Sequence, residues 1–357
     1  MNLVALNSSK KWGGNERWLR TAMNCLAENG HFISLVARSN VSHWNNLHPS
    51  INIIEAPYTN ELSIKTKSII RKIIAVNDID IMLSTKRKDY ILGAQIKNRA
   101  NVFHVMRLGI SRPILKRDFM QRYIISNQVD GIIVNALALK NELLSYGFIN
   151  NNFDSDKIAC IYNGYSIEKP INTVEIKKDA SLLIRSAGRL TVHKGYDLLI
   201  NSLSEVEKLG IDYKVEIAGE GPELNELNNL IKKYGLQHRC KLVGEKNDII
   251  TFFSRADLVI IPSRSEGIPN TLFEAWMSKR PVIATNAGGV SEVIDHGING
   301  LICEPDSNQI FSTLADYVEN NRNYKDMGEK GYNKLIKSFS MENMTNKLET
   351  YLHSFID

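Results

Sequence analysis

The sequence predicts an α/β protein made of two doubly wound, Rossmann-like parallel-sheet domains facing a central cleft. Three observations carry the prediction. Short apolar runs alternate with helical patterns along the chain, which is the mark of βαβ units with right-handed crossovers. The chain has 357 residues, more than one ordinary core accommodates and suited to two domains. Polar and glycine-rich turns follow the apolar runs, at the strand ends where open α/β sheets bind ligands.

In order, residues 2–7 (NLVALN) read as a first strand, SSKKWGGNE as a loop, and ERWLRTAMNCLAENG as an amphipathic helix stopped by Asn29-Gly30. Residues 31–39 and 51–58 read as strands. Ile64 to Val76 is a helix with Lys65, Lys67, Arg71 and Lys72 beside an isoleucine-rich face. An outer helix packed on the sheet is favoured there over a membrane-surface helix. Residues 79–85, 100–109 and 131–136 are further strands, and KIACIYNGY (157–165) closes the first half. SIEKPINTVEIKKD lacks periodicity and is taken as the interdomain linker. The second sheet opens at residues 181–190 and continues through 213–221, 240–246, 258–262, 281–289 and 300–305, with helices between and after. The resulting division is 1–165 for an acceptor-side domain, 166–338 for a donor domain, and 339–357 for a helix crossing back to the first domain.

Four scattered cysteines with no CxxC pair argue against a zinc site or a disulfide framework and fit a reducing compartment. The start lacks the basic segment of a signal peptide, and no run approaches the roughly 18–20 apolar residues of a membrane span. The expected location is the cytoplasm, with the inner face of the plasma membrane as a working site. Residues 1–165 hold 21 Lys+Arg against 12 Asp+Glu, or +9, whereas the remainder holds 23 against 27, or −4. The basic half suits an anionic acceptor or an anionic membrane surface. Lys86, Arg87, Lys88 and Arg107 are its acceptor-side candidates; uneven surface charge without function is equally compatible. No nucleic-acid partner is expected.

The chemistry gathers after the strands of the second half. Arg189 and Lys194, flanked by Gly188 and Gly195, form a fork and a point charge suited to a diphosphate. Gly219-Glu220-Gly221 and Gly244-Glu245 are tight turns, the latter placed to border a planar base. The stretch DLVIIPSRSEGIPNTLFE (257–274) runs from strand through loop into helix, with Glu266 in the loop and Glu274 just inside the helix. Backbone N–H groups at that helix start, around Asn270 and Thr271, favour an anion. Any one of these features alone is an ordinary turn or solvated charge; their succession at strand ends points to a nucleotide-sugar site. No DxD-type cluster follows a strand, so no metal and no cofactor beyond the donor substrate is expected.

GRLTVHKG, IAGEGPE, and PSRSEGIPNTLFEAW followed by PVIATNAGGVSEVI resemble the retaining glycosyltransferases of glycosyltransferase family 4, which have the GT-B fold. KKWGGNERW and FHVMRLG resemble, more loosely, first-lobe loops of members that build bacterial lipopolysaccharide and other surface polysaccharides. The resemblance implies that Arg189 and Lys194 bind and stabilise the leaving diphosphate, that Glu274 binds the ribose, and that Glu266 meets donor-sugar hydroxyls near the reacting centre. It further implies that the backbone at Gly267 and Ile268 holds sugar and phosphate, and that Gly13 and Gly14 close over the phosphates. His104 stands where the family often has a histidine near the transferred sugar, but Val105 and Met106 separate it from Arg107. Many members have the two adjacent, so either of the two is the candidate to face the sugar. The implied activity is transfer from a nucleotide diphosphate sugar (UDP favoured, GDP next) to a glycan or lipid-linked glycan. The rival readings are a nucleotide-sugar epimerase or phosphorylase on the same frame, and a non-catalytic nucleotide-sugar-binding protein.

Overall fold

The computed structural model describes residues 1–356 apart from 111–116, 147–152, 167–180, 321–323 and 325. The expected linker over SIEKPINTVEIKKD falls almost wholly outside the described residues. The chain divides into two units, one of residues 1–164 with 341–357, the other of residues 165–340.

Unit 1 has seven strands: β1 (Asn2–Asn7), β2 (Phe32–Arg38), β3 (Asn52–Ala56), β4 (Ile81–Ser84), β5 (Phe103–Leu108), β6 (Gly131–Val134) and β7 (Ile158–Cys160). Every pairing is parallel, in the order β3-β2-β1-β4-β5-β6-β7. β1, β4 and β6 are buried along almost their whole length, as strands covered by helices on both faces must be. The covering helices are α1 (Gly14–Glu28), α2 (Ile64–Val76), α3 (Arg87–Lys97), α4 (Phe119–Gln128) and α5 (Leu137–Leu144). α2 buries Thr66, Ile70, Ile73 and Ile74, so its apolar side is spent on the core. Ser63 caps it by accepting the Thr66 N–H.

Unit 2 has six parallel strands: β8 (Leu182–Ala187), β9 (Tyr213–Ala218), β10 (Cys240–Leu242), β11 (Leu258–Ile261), β12 (Val282–Thr285) and β13 (Leu301–Cys303). Their order is β10-β9-β8-β11-β12-β13. Around them lie α6 (Tyr196–Val206), α7 (Leu224–Lys233), α8 (Ile249–Phe253), α9 (Asn270–Met277), α10 (Val290–Val293), α11 (Ser307–Glu319) and α12 (Met327–Ser338). The core joins Ile184, Leu199, Tyr213, Ile217, Leu258, Ile260 and Ile283. These are alternate strand residues and the apolar stripe of α6. The last helix, α13 (Met341–His353), returns to unit 1, where Met344, Leu348 and Leu352 enter the core. Glu349 fixes it there, accepting from Asn29 at 2.8 Å and lying 2.9 Å from His31 Nε2. Within unit 2 the Tyr165 N–H donates to the Phe339 carbonyl at 3.0 Å, so the two passages of chain out of the unit lie side by side.

His104 is the second residue of β5 and is fully buried. Its Nε2 lies 2.8 Å from Ser84 Oγ and its Nδ1 2.9 Å from the Gln128 carbonyl. Of the two residues named as candidates to face the sugar, His104 is thus the one held inside the sheet. It sits toward the amino end of its strand, away from the carboxyl-end loops, with both ring nitrogens engaged. Gly93 makes room for it: a Cβ there would fall 2.6 Å from His104 Nε2.

Burial pushes the His104 pKa down to about 4, and burial pushes Asp89 up to about 7 against the opposing hydrogen bonds from Ser8. The two act in opposite directions. Below pH 6.5 the unfolded chain protonates its histidine while the folded chain does not, so His104 makes stability fall as pH falls from 6.5 to 4. Between pH 4 and 7 folded Asp89 holds a proton that the unfolded chain releases, so it makes stability fall as pH rises. Urea unfolding of unit 1 between pH 4 and 6.5 should therefore show partial cancellation in the native sequence. Asp89→Asn should steepen the gain with rising pH, and His104→Asn should invert it, each by a change of order 3 kcal/mol across the window. Parallel pH profiles for the native chain and both variants would refute this.

Candidate functional site

In unit 2 the strand order reverses between β8 and β11. Loops leaving the carboxyl ends of two such strands turn to opposite sides, and the crevice between them is the usual ligand site of this topology. The loop after β8 carries Arg189, which is exposed, then a 3₁₀ turn over Val192–Lys194 and Gly195. The loop after β11 carries Ser263 to Pro269 and feeds α9.

Close backbone contacts lock these loops together. Gly195 has φ +66°, and a Cβ on it would stand 2.0 Å from the Pro262 carbonyl oxygen. The Arg264 N–H donates to the His193 carbonyl at 2.7 Å, and its guanidinium grips Asp197 with both terminal nitrogens at 2.6 and 2.5 Å. The consequence is a direct ion pair across the switch point: Lys194 Nζ on Glu266 Oε1. Ser263 Oγ donates to that same oxygen at 2.9 Å. Buried Tyr196 lies beneath; burial first, and the nearby Glu266 charge second, push its phenol pKa well up. Its hydroxyl lies so near Gly188 that a Cβ there would stand 2.8 Å from it.

α9 begins without a side-chain cap, and an uncapped helix start is a place where an anion can bind. Asn270 is its first residue and accepts the Tyr165 hydroxyl at 2.6 Å; the Tyr165 ring rests on Phe273, centroids 4.6 Å apart. Thr271 Oγ1 is buried with no hydrogen-bond partner, and Glu274 is buried one turn further on. An orphaned hydroxyl and a buried carboxylate at an open helix start suit a ligand carrying both negative charge and hydroxyl groups. The Glu266–Ile268 segment is held by the turn after β12. Gly289 N–H donates to the Gly267 carbonyl at 2.6 Å, and a Cβ on Gly288 would fall 1.8 Å from the Glu266 carbonyl oxygen. Gly244, with φ +70°, follows β10, accepts the Gly219 N–H at 2.9 Å, and precedes exposed Glu245.

The structure thus brings Lys194, Glu266, Gly267, Ile268, Asn270, Thr271 and Glu274 to one switch point, with Arg189 on the same loop as Lys194. Gly244 and Glu245 stand two strands away on the same edge of the sheet. Ser263 and Tyr165 were not anticipated. Ser263 had a signal, as the first polar residue after an apolar strand; Tyr165 had none.

In unit 1, Gly13 caps α1 in extended conformation and Gly14 begins it, on the loop after β1. Lys86, Arg87 and Lys88, named as acceptor-side candidates, each have a different partner. Lys86 pairs with Glu16 at 2.8 Å, Arg87 pairs with Glu61, and Lys88 donates to the Tyr58 carbonyl at 3.2 Å. Arg107, at the carboxyl end of β5, is buried, donates to Asn15 and, at 3.1 Å, to Asn163, and lies over the Trp18 ring.

Each unit is a parallel, doubly wound sheet with a lysine–glutamate pair at its switch point, and comparison with known proteins gives the chain a family. Residues 168–334 match the family model described as glycosyl transferases group 1. An uncharacterized glycosyltransferase of Methanocaldococcus jannaschii is 30% identical over 258 residues, 70% of this chain and 68% of that protein. The chain belongs to the group 1 glycosyltransferases. A lipopolysaccharide core biosynthesis glycosyltransferase of Rhizobium meliloti is 22% identical over 94% of both chains. The Anabaena protein HepE, solved in complex with UDP-glucose, superposes with a TM-score of 0.81 at 19% identity, over 99% of this chain and 100% of its own. Each unit therefore has the Rossmann-like form of the GT-B glycosyltransferases.

The locking contact at Gly288 is testable against a control. Gly288→Ala adds a Cβ into the Glu266 carbonyl, whereas Gly297, also at positive φ (+77°), has nothing within 4 Å of such a Cβ. Gly297→Ala should cost about 1 kcal/mol, the backbone penalty alone, and Gly288→Ala at least about 2 kcal/mol more. Equal denaturation midpoints would sink the argument.

Proposed function

We propose that this glycosyltransferase is a retaining, metal-independent enzyme of family 4, moving a sugar from a nucleotide diphosphate sugar to a glycan or lipid-linked glycan. The observation that carries the reading is the Lys194–Glu266 pair beside the open start of α9. Breaking the anomeric bond puts negative charge on the departing diphosphate. Lys194, with Arg189 on the same loop, stabilises that charge as it develops, which lowers the barrier rather than merely tightening binding. Glu266 takes hydroxyls of the donor sugar, the backbone of Gly267 and Ile268 holds sugar and phosphate, and the N–H groups of Asn270 and Thr271 add to phosphate binding. Glu274 takes the ribose hydroxyls, and Gly244–Glu245 borders the base. Gly13 and Gly14 contribute backbone to the phosphates.

UDP is the favoured nucleotide, in keeping with the UDP-glucose bound by HepE, with GDP as the second candidate. The Rhizobium relative supports a place in bacterial lipopolysaccharide or other surface-polysaccharide synthesis. Such acceptors are built at the cytoplasmic face of the membrane, and an anionic membrane surface is the partner proposed for the basic unit 1. Among the described residues no helix is long and apolar enough to cross a membrane.

A thermal-shift screen of UDP- and GDP-sugars should show stabilisation by at least one of them. Lys194→Ala should weaken UDP binding about 10- to 100-fold, the size of one charge-assisted hydrogen bond, measured on the folded variant, whose unfolding midpoint should fall because Glu266 loses its cation. Unaltered UDP affinity in that variant would overturn the assignment. Transfer should persist in EDTA, and NMR of the product should show the donor's anomeric configuration; loss of activity with the chelator, or an inverted product, would refute those parts.

A further inference from the structure

Unit 1 has its own switch point, between β1 and β4, and aromatic rings stand beside it. The loop after β1 carries Trp12, 36% exposed, and the segment after β2 brings His43 and Trp44 against it. The Trp12 ring lies 5.6 Å from the His43 ring and 5.9 Å from the Trp44 ring, and His43 lies 5.4 Å from Trp44. Arg20 stands over Trp12 at 4.8 Å and fixes the ring. Trp44 is buried beneath, so Trp12 and His43 form a supported aromatic step rather than a loose loop.

Beside the step is a buried carboxylate. Glu16 is 2% exposed. Its Oε1 accepts from Asn7 Nδ2 at 3.3 Å and pairs with Lys86 Nζ at 2.8 Å. Lys86 also donates to Ser9 Oγ at 2.9 Å, which anchors the β1 loop. Glu16 Oε2 has no hydrogen-bond partner among the described residues. It flanks Gly13, where a Cβ would stand 3.2 Å away; glycine leaves that oxygen approachable. Trp12 is the chain neighbour of Gly13, so the aromatic step and the carboxylate meet on one loop. The exposed part of Trp12 offers apolar surface and the carboxylate an acceptor, which is the combination a pyranose fits. Its C–H face packs on aromatic rings while a hydroxyl donates to a fixed acceptor.

We infer that Trp12 and His43, with Glu16 Oε2, form the subsite for the terminal pyranose of the acceptor glycan. The inference rests on the transferase reading above for the word acceptor; the sugar site itself stands on the geometry of unit 1. It assigns acceptor recognition to ring stacking and one carboxylate, in place of a cationic patch made by Lys86, Arg87 and Lys88.

The test uses the full chain and methyl pyranosides of glucose, galactose and mannose as probes, read by saturation-transfer difference NMR in the presence of UDP. At least one pyranoside should give ring-proton signals. Trp12→Ala should weaken its binding about tenfold, and Trp12→Phe should restore most of it, because stacking needs a ring and not the indole N–H. Glu16→Gln should weaken it as well, with the unfolding midpoint followed in parallel; the exposed Trp12 pair keeps the test decisive if Glu16→Gln fails to fold. With a donor and glycan acceptor in hand, the same Trp12 variant should raise the acceptor KM about tenfold and leave the donor KM unchanged. The inference is overturned if no pyranoside binds, if Trp12→Ala binds as the native chain does, or if the loss falls on UDP instead, which would make the step a base platform. UDP binding measured alone by thermal shift separates the two claims. Its absence counts against the donor site of unit 2, and sugar binding without it still supports the subsite.

Discussion

In each unit one lysine–glutamate pair spans the point where the strand order reverses: Lys86 with Glu16 in unit 1, Lys194 with Glu266 in unit 2. Taking two charges out of water costs more than their attraction returns unless other bonds complete them. Both pairs have such bonds. Ser9 and Asn7 serve the first, and Ser263 serves the second. A lone ammonium at either place would be costly and mobile. Paired, it is held where a ligand can reach it, and a ligand that takes it over exchanges one partner for another without first ordering a flexible side chain. The parallel sheets concentrate the rest of the polar chemistry at the same ends, because their strands are buried on both faces.

What keeps the unit 2 pair in place is backbone against backbone. Gly195 lies against the Pro262 carbonyl, Gly219 against that of Gly188, Gly221 against that of Leu190, and Gly288 against that of Glu266. Any side chain at these four positions would meet a carbonyl oxygen at 2.2 Å or less. These contacts couple the loops after β8, β9, β11 and β12 into one rigid rim. The tyrosine at the exit from the unit adds a tie of another kind, binding Asn270 through its hydroxyl while its ring rests on Phe273, which also meets Phe339 at 4.9 Å. Helix α9 is thereby fixed at its first turn from outside the rim.

Much of this was legible in the sequence because it is local. Runs such as LVALN, IMLS, GIIV and LVII are strands, and the 13 residues from Ile64 to Val76 form α2 with the limits their pattern implies. The fold class followed from their alternation with helices. α3, α4 and α5 were harder, since segments such as FMQRYIISNQ and LALKNELL lack a clean apolar stripe. Partners of polar residues were not legible at all. Nothing near His104 in sequence announces Ser84 or the Gln128 carbonyl, so a satisfied core histidine looked like a site histidine. Lys86, Arg87 and Lys88 are adjacent in the chain, yet they occupy a β-strand exit and a helix start, where successive side chains diverge and each finds a different partner. Trp12 and His43 come from two loops that only the β1–β2 pairing brings together.

The unit 2 pair also bears on the chemistry open to Glu266. Lys194 and Ser263 both meet its Oε1, so charge is drawn away from that oxygen and the carboxylate is turned by its neighbours. A group held in this way is poorly disposed to attack a carbon as a free nucleophile, and well disposed to orient hydroxyls. On the proposed reading, a diphosphate that recruits Lys194 leaves Glu266 without its cation. The half-buried carboxylate then needs new donors, and the sugar hydroxyls of the same ligand supply them. A nucleotide alone satisfies the lysine and strands the glutamate, whereas the intact nucleotide sugar satisfies both. On that reading one ion pair would make recognition of the phosphate and of the sugar mutually dependent, which is what a transferase that must not waste its donor's nucleotide site on spent product requires.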